Sequence, residues 1–99
     1  MNLGYTITEL REIRGLKQKA LAEKCKITQS YLSQIENNKK EPNLSTLKTI
    51  SDVLDIPLPI LFFLSIDEKD MPERKKDAFE IIRPLVKGLL NDFFVPVTK

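Results

Sequence analysis

Apolar residues recur every three to four positions through most of the chain, which is the spacing of helices that bury one face. No segment alternates between apolar and polar residues in the way that a half-buried strand does. Five such helical stretches follow one another before residue 65, and a longer one follows residue 71. The pattern therefore predicts an all-α fold.

Capping residues indicate where the first three helices begin and end. The run Thr6–Glu9 has the spacing of a capping box and predicts the start of the first helix, which Gly15 ends. A second helix is expected from about 18 to 25. Thr28 then supplies an N-cap hydroxyl for a third helix that continues through Glu36.

The fourth and fifth helices are bounded by one asparagine and two prolines. Asn43 is an N-cap type for the fourth helix, and Pro57 and Pro59 end it and begin a short fifth helix. Residues 65–71 are charged and poor in apolar side chains, so they are expected to form a linker. This divides the chain into a domain of residues 1–64, a linker, and a C-terminal extension of residues 72–99.

The C-terminal extension carries a wide apolar face on a helical spacing. Pro84 cannot donate to the preceding turn, so we expect either one bent helix from about 72 to 94 or two shorter ones. An apolar face of this width needs a covering surface. We expect a twofold homodimer in which at least Leu85, Leu89 and Phe93 are buried, either across the interface or against the fifth helix beside it. The alternative is that this stretch only packs back on its own domain.

Charge and composition narrow the class of function. The net charge is only +2, but residues 15–40 hold six lysines and two glutamates, a local excess of +4 that suits a phosphate-binding surface. The lone cysteine, Cys25, and the lack of histidine predict no disulfide, no metal, no cofactor and no catalytic nucleophile. With no signal peptide and no apolar run that could span a membrane, we expect a cytoplasmic protein.

The second and third helices have the pattern of a helix-turn-helix. Ala22 is small where the two helices would cross, and apolar residues fill the angle between them. The outward face of the third helix is polar throughout, and glutamine there can make a two-point contact to adenine in the major groove. The predicted base-contacting residues are Gln29, Ser30, Ser33 and Gln34.

The strings LREIRGLKQKALAEKC, TQSYLSQIENNK and PNLSTLKTISDVLDI resemble the phage-repressor and Cro family of helix-turn-helix regulators, also called the XRE family. The resemblance covers residues 7 to about 64 and implies a five-helix domain like that of lambda repressor, bound to double-stranded DNA. It also implies a structural ion pair between Arg11 and Glu36. The residues expected at the DNA backbone, by this match, by their charge or, for the tyrosine, by its hydroxyl, are Lys17, Gln18, Lys19, Tyr31, Asn37 and Lys39.

Three positions depart from the family pattern. Lys17 replaces a common Ser or Thr cap, and Lys26 and Asn38 replace two frequent glycines. We expect Lys26 to take a left-handed conformation, and asparagine tolerates that geometry fairly well. Tyr31 has two open roles, because it could pack at the core edge or place its hydroxyl on a phosphate.

Two functions fit these features. The first is a transcription regulator that binds a palindromic operator as a homodimer, since two domains related by a twofold axis can read two half-sites. The alternative is an antitoxin that masks a toxin with its C-terminal segment and represses their joint operon with the same helix-turn-helix. An enzyme is not expected, because the sequence offers neither a phosphate loop nor a catalytic motif.

Overall fold

The computed structural model describes the backbone of residues 1–94, and the side chains of these except Glu68, Val86, Lys87 and residues 89–94. Two short 3-10 turns, Glu68–Asp70 and Glu73–Lys75, lie between the last two helices. None of residues 1–94 lies in a strand, which confirms the all-helical fold. Residues 1–94 form six α-helices, which are α1 (Leu3–Ile13), α2 (Gln18–Cys25), α3 (Gln29–Glu36), α4 (Leu44–Leu54), α5 (Leu58–Ser65) and α6 (Lys76–Phe94).

Helices α1 to α5 enclose one apolar core. Each contributes at least one side chain that is shielded completely from solvent, and burial of such a side chain stabilises the fold by about 1.5–3 kcal/mol. Ala22 is also buried, as its place between α2 and α3 requires. The fully buried side chains, one from each helix in order, include Ile7, Leu21, Leu32, Ile50 and Leu61.

Helix α1 begins one turn earlier than predicted, and the capping box at Thr6 is wrong. Asn2 is the N-cap, and its Oδ1 accepts a hydrogen bond from the Tyr5 backbone N–H at 3.1 Å. Thr6 is buried inside the helix, where its hydroxyl donates to the Asn2 carbonyl at 3.1 Å. The extra turn also packs Leu3 against the core. If the helix began at Thr6, Leu3 would lie outside it.

The turns around α2 and α3 depend on residues with positive φ. Gly15 follows α1 with φ +72°, and the next backbone N–H, that of Leu16, donates to the Arg11 carbonyl at 3.1 Å. Lys26 adopts the left-handed conformation expected of it, with φ 59°, between α2 and α3. Asn38 takes the same conformation after α3, with φ 60°.

Helix α6 continues through Pro84 as one helix, so the alternative of two shorter helices is wrong. Its first turns pack back on the domain. Phe79 is buried, with its ring centroid 5.6 Å from that of Phe63, and the Arg83 guanidinium lies 5.5 Å from the Phe79 ring. Farther along, Leu85 is 66% exposed and does not pack on its own domain. The predicted contacts of Leu89 and Phe93 lie outside the described side chains.

The segment before α6 lies beside the start of α1. The α-amino group of Met1 is 2.8 Å from Asp70 Oδ2 and 3.4 Å from Asp67 Oδ2. The hydrogen bond from this ammonium group lowers the pKa of Asp70. Among the described residues, none of the helices is long and apolar enough to cross a lipid bilayer.

Candidate nucleic-acid interface

Helix α3 is fixed in the fold by one buried side and a capped first turn. The Thr28 hydroxyl accepts a hydrogen bond from the Tyr31 backbone N–H at 3.0 Å. Leu32 and Ile35 are buried in the core, and Tyr31 is half-buried against it, which is the first of its two open roles. The helix therefore has little freedom to turn about its own axis.

The opposite side of α3 carries the four residues predicted to contact bases. Gln29 and Ser30 are exposed, whereas Ser33 and Gln34 are half-buried. Ser33 accepts from the Asn37 side-chain amide through its carbonyl, at 2.8 Å, and through its hydroxyl, at 3.4 Å. All four side chains are hydrogen-bonding types, so this side offers a helix-borne surface that can pair with base edges.

A buried ion pair joins α1 to the end of α3. The Arg11 guanidinium donates to both carboxylate oxygens of Glu36, at 2.8 and 3.1 Å, and to the Leu16 carbonyl at 2.9 Å. The Arg11 and Glu36 side chains are only 12% and 5% exposed. Two-point pairs of this kind fix the orientation of both partners, so the C-terminal end of α3 cannot shift relative to α1.

Gln18, predicted at the DNA backbone, also belongs to this buried cluster. Its amide donates to Glu36 Oε1 at 3.0 Å, and its carbonyl oxygen accepts from the Gln29 amide at 3.4 Å. The N-terminus of α2 therefore lies directly beside the first turn of α3. Lys17 and Lys19, which flank Gln18, are both exposed.

The loop after α3 carries the other predicted phosphate contacts, Asn37 and Lys39, and both are exposed. The Lys39 backbone N–H donates to the Gln34 carbonyl at 2.8 Å, which folds the loop back on the helix. Asn38, between them, donates to Asn2 Oδ1 at 2.8 Å and accepts from the Gly4 backbone N–H at 3.0 Å.

Two of these contacts were not predicted from the sequence. The bond from Gln18 to Glu36 could have been suspected, since a buried carboxylate has more acceptor positions than one arginine fills. No local sequence pattern predicts the contact of Asn38 with Asn2, because 36 positions separate the two residues. Arg14 was missed as well, although it donates to the Leu54 carbonyl at the end of α4, at 2.8 Å.

Cysteine, histidine and acidic residues are the side chains that most often bind metals or act as nucleophiles. Cys25 is buried, and this burial raises the pKa of its thiol, so the cysteine stays protonated and unreactive. Within the described part of the chain, no group of three or more Asp, Glu or Cys side chains could hold a metal ion. The chain contains no histidine.

Known proteins share this arrangement. A helix-turn-helix family model matches residues 7–61, more than half of the chain, so the chain belongs to the helix-turn-helix family, of the XRE type. This family consists of DNA-binding transcription regulators and not of enzymes, as predicted.

Two curated relatives and one solved structure illustrate the likeness. The immunity repressor protein of Bacillus phage phi105 is 32% identical over 89 residues, which cover 78% of this chain and 62% of the repressor. The HTH-type transcriptional regulator SinR of Bacillus subtilis is 36% identical over 72 residues, covering 72% of this chain and 61% of SinR. The chain thus spans about three fifths of the length of these relatives.

The crystal structure of the clp gene regulator ClgR from Corynebacterium glutamicum has a similar fold. It superposes with a TM-score of 0.63 over 91% of this chain and 87% of ClgR, at 19% sequence identity. At this identity the likeness concerns the arrangement of helices alone.

Proposed function

We propose that this chain is a cytoplasmic transcription regulator that binds an operator in double-stranded DNA as a homodimer, with α3 in the major groove. The observation that carries the proposal is the contrast between the two sides of α3. One side is locked by the core and the ion pair of Glu36, and the other presents Gln29, Ser30, Ser33 and Gln34 to the outside. A rigid helix with a polar outer side has the width and the chemistry to read base edges.

Polar and basic side chains suited to phosphate contacts lie near both ends of α3. At one end, Lys17, Gln18 and Lys19 lie at the N-terminus of α2, where the partial positive charge of a helix start attracts anions. At the other end, Asn37 and Lys39 sit in the exposed loop. Such contacts hold the protein in register on the duplex, while the base contacts select the sequence.

Helix α6 supplies the surface for a homodimer. Its Ile81 and Leu85, which are one turn apart on the same face, are 69% and 66% exposed, and the neighbouring Ile82 is 46% exposed. Three exposed large aliphatic side chains within five residues are unusual for a lone helix and are stabilised by burial against a partner. Because Phe79 fixes the start of α6 on the domain, a dimer through α6 would hold two copies of α3 at a set separation.

Selection of binding sites from random duplex DNA, with the full chain as bait, tests this function. The expected result is an enriched inverted repeat whose half-sites are about 10 base pairs apart, centre to centre, or a multiple of that spacing. An enriched single half-site would contradict the homodimer. No enrichment over the starting pool would contradict sequence-specific binding.

A further inference from the structure

Asn38 occupies a position where the backbone favours glycine, yet its side chain makes two hydrogen bonds. With φ 60°, the residue is left-handed, a conformation that costs a non-glycine residue about 1 kcal/mol. Its Oδ1 accepts from the Gly4 backbone N–H at 3.0 Å, and its amide donates to Asn2 Oδ1 at 2.8 Å. The side chain thus ties the loop after α3 to the first turn of α1.

The backbone of α1 is pressed against the same loop. A Cβ atom on Gly4 would lie 2.5 Å from the Glu36 carbonyl oxygen, 2.6 Å from that of Ile35 and 2.7 Å from Asn38 Oδ1. Only glycine permits this approach, and the approach brings the Gly4 N–H within reach of Asn38. Asn2, in turn, is anchored by its own N–H to the Ser65 carbonyl at 2.7 Å. The residues that hold Asn38 are therefore themselves fixed.

We propose that Asn38 is a positioning residue for DNA binding. By holding α1, its side chain fixes the loop that presents Asn37 and Lys39, and so orders these two residues before DNA arrives. The inference rests on the proposed function, because it assigns the loop to phosphate contacts. Preordering a contact raises affinity, since less conformational freedom is lost on binding.

The variant Asn38→Gly separates this role from backbone strain. Glycine keeps the left-handed conformation at lower cost but loses both side-chain hydrogen bonds, so the two effects on stability oppose each other. Affinity for random-sequence duplex DNA is expected to fall about threefold to tenfold. The slope of log affinity against log salt should fall by up to about one unit, because Lys39 no longer displaces its counterion fully.

Asp55→Gly is the matched control. Asp55 has φ 57° at the end of α4, so the change relieves the same strain elsewhere in the domain. It also removes a negative charge and an exposed ion pair with Arg14 at 3.6 Å. Loss of a negative charge does not weaken attraction to phosphates, so no loss of affinity is expected. A structural role alone could shift the denaturant midpoint of Asn38→Gly in either direction but would leave the affinity and salt slope of the folded protein unchanged.

Substitutions of Asn2 test the same hydrogen bond from the side of α1. Asn2→Ala removes the acceptor of the Asn38 amide, whereas Asn2→Asp keeps an oxygen both for that amide and for the helix cap. The alanine variant should bind DNA more weakly, and the aspartate variant should recover most of the affinity. In a Lys39→Ala background, the effect of Asn38→Gly should shrink, since the two changes act on one contact.

The outcomes separate the two proposals. If the unaltered chain binds DNA while both Asn38→Gly and Asn2→Ala match its affinity and salt slope, the positioning role of Asn38 is overturned and the proposed function stands. If the unaltered chain does not bind duplex DNA at low salt, the proposed function fails and this inference fails with it. Loss of affinity in Asn38→Gly but not in Asp55→Gly supports the role.

Discussion

Helices α1 to α5, the first region, and helix α6, the second, differ in how far their apolar side chains are buried. The first five helices bury most of theirs against one another, down to complete exclusion of solvent at Ile7 and Leu61, although Ile13 and Leu44 are exposed. Helix α6 buries Phe79 and then leaves Ile81 and Leu85 mostly exposed. Helices α1 to α5 are stabilised by contacts with one another, and we propose that the exposed apolar side chains of α6 are covered by a second copy of the chain.

Loss of the buried ion pair between Arg11 and Glu36 should have the largest effect on stability. Both residues belong to helices α1 to α5. Arg11→Ala leaves the Glu36 carboxylate buried without its charge partner, so the free energy of unfolding should drop by about 3–5 kcal/mol. Lys39→Ala, at an exposed position, should change it by less than about 0.5 kcal/mol. Denaturant midpoints measure both, and equal midpoints would show that the pair contributes nothing.

Substitutions on the exposed face of α6 should change the oligomeric state of the protein. Leu85→Glu places a charge on the exposed face of α6, and in a dimer that charge would be buried, so the dimer dissociation constant should rise by at least about a hundredfold. Leu44→Glu is the control, since Leu44 is 64% exposed on α4, outside the proposed interface. Sedimentation equilibrium distinguishes the two. A monomer for the unaltered chain at tens of micromolar would contradict the dimer.

The same substitution at two glycines should change stability in opposite directions. Gly4→Ala forces a methyl group against the backbone at the end of α3 and should destabilise the protein by about 1–3 kcal/mol. In the part of the chain that the structure describes, a Cβ added to Gly88 of α6 would meet open space beyond its own helix backbone and chain neighbours, and alanine there should be neutral or stabilise the helix by up to about 1 kcal/mol. Thermal unfolding of both variants provides the measurement. Equal losses would mean that α6 is packed as tightly as the first region.

The helices were predictable because helix type depends on residues close in sequence, and the left-handed Lys26 was expected because it replaces a frequent glycine of the family pattern. The apolar spacing and the caps at Thr28 and Asn43 determine where α3 and α4 begin. The start of α1 was misplaced for a tertiary reason, since two cap-type residues compete there and packing of Leu3 decides in favour of Asn2.

The polar surface of α3 was also predictable from the sequence. Of the contacts that fix α3 in the fold, only some were predictable. The side of α3 that faces outward follows from helical periodicity once Leu32 and Ile35 are assigned to the core. The hydrogen bond between Asn38 and Asn2 could not be predicted, because it depends on how α1 crosses the end of α3. Contacts between distant residues arise from packing, which local patterns do not specify.

In the proposed complex, α3 reads bases while the loop beside it binds phosphates. Titration of the selected operator and of a scrambled duplex, at several salt concentrations, tests the claim with Gln34→Ala and Lys39→Ala. Gln34→Ala should weaken operator binding by about 1–3 kcal/mol and leave scrambled binding almost unchanged, whereas Lys39→Ala should weaken both and lower the salt slope by about one unit. If Gln34→Ala leaves the ratio of the two affinities unchanged, α3 does not lie in the major groove as proposed.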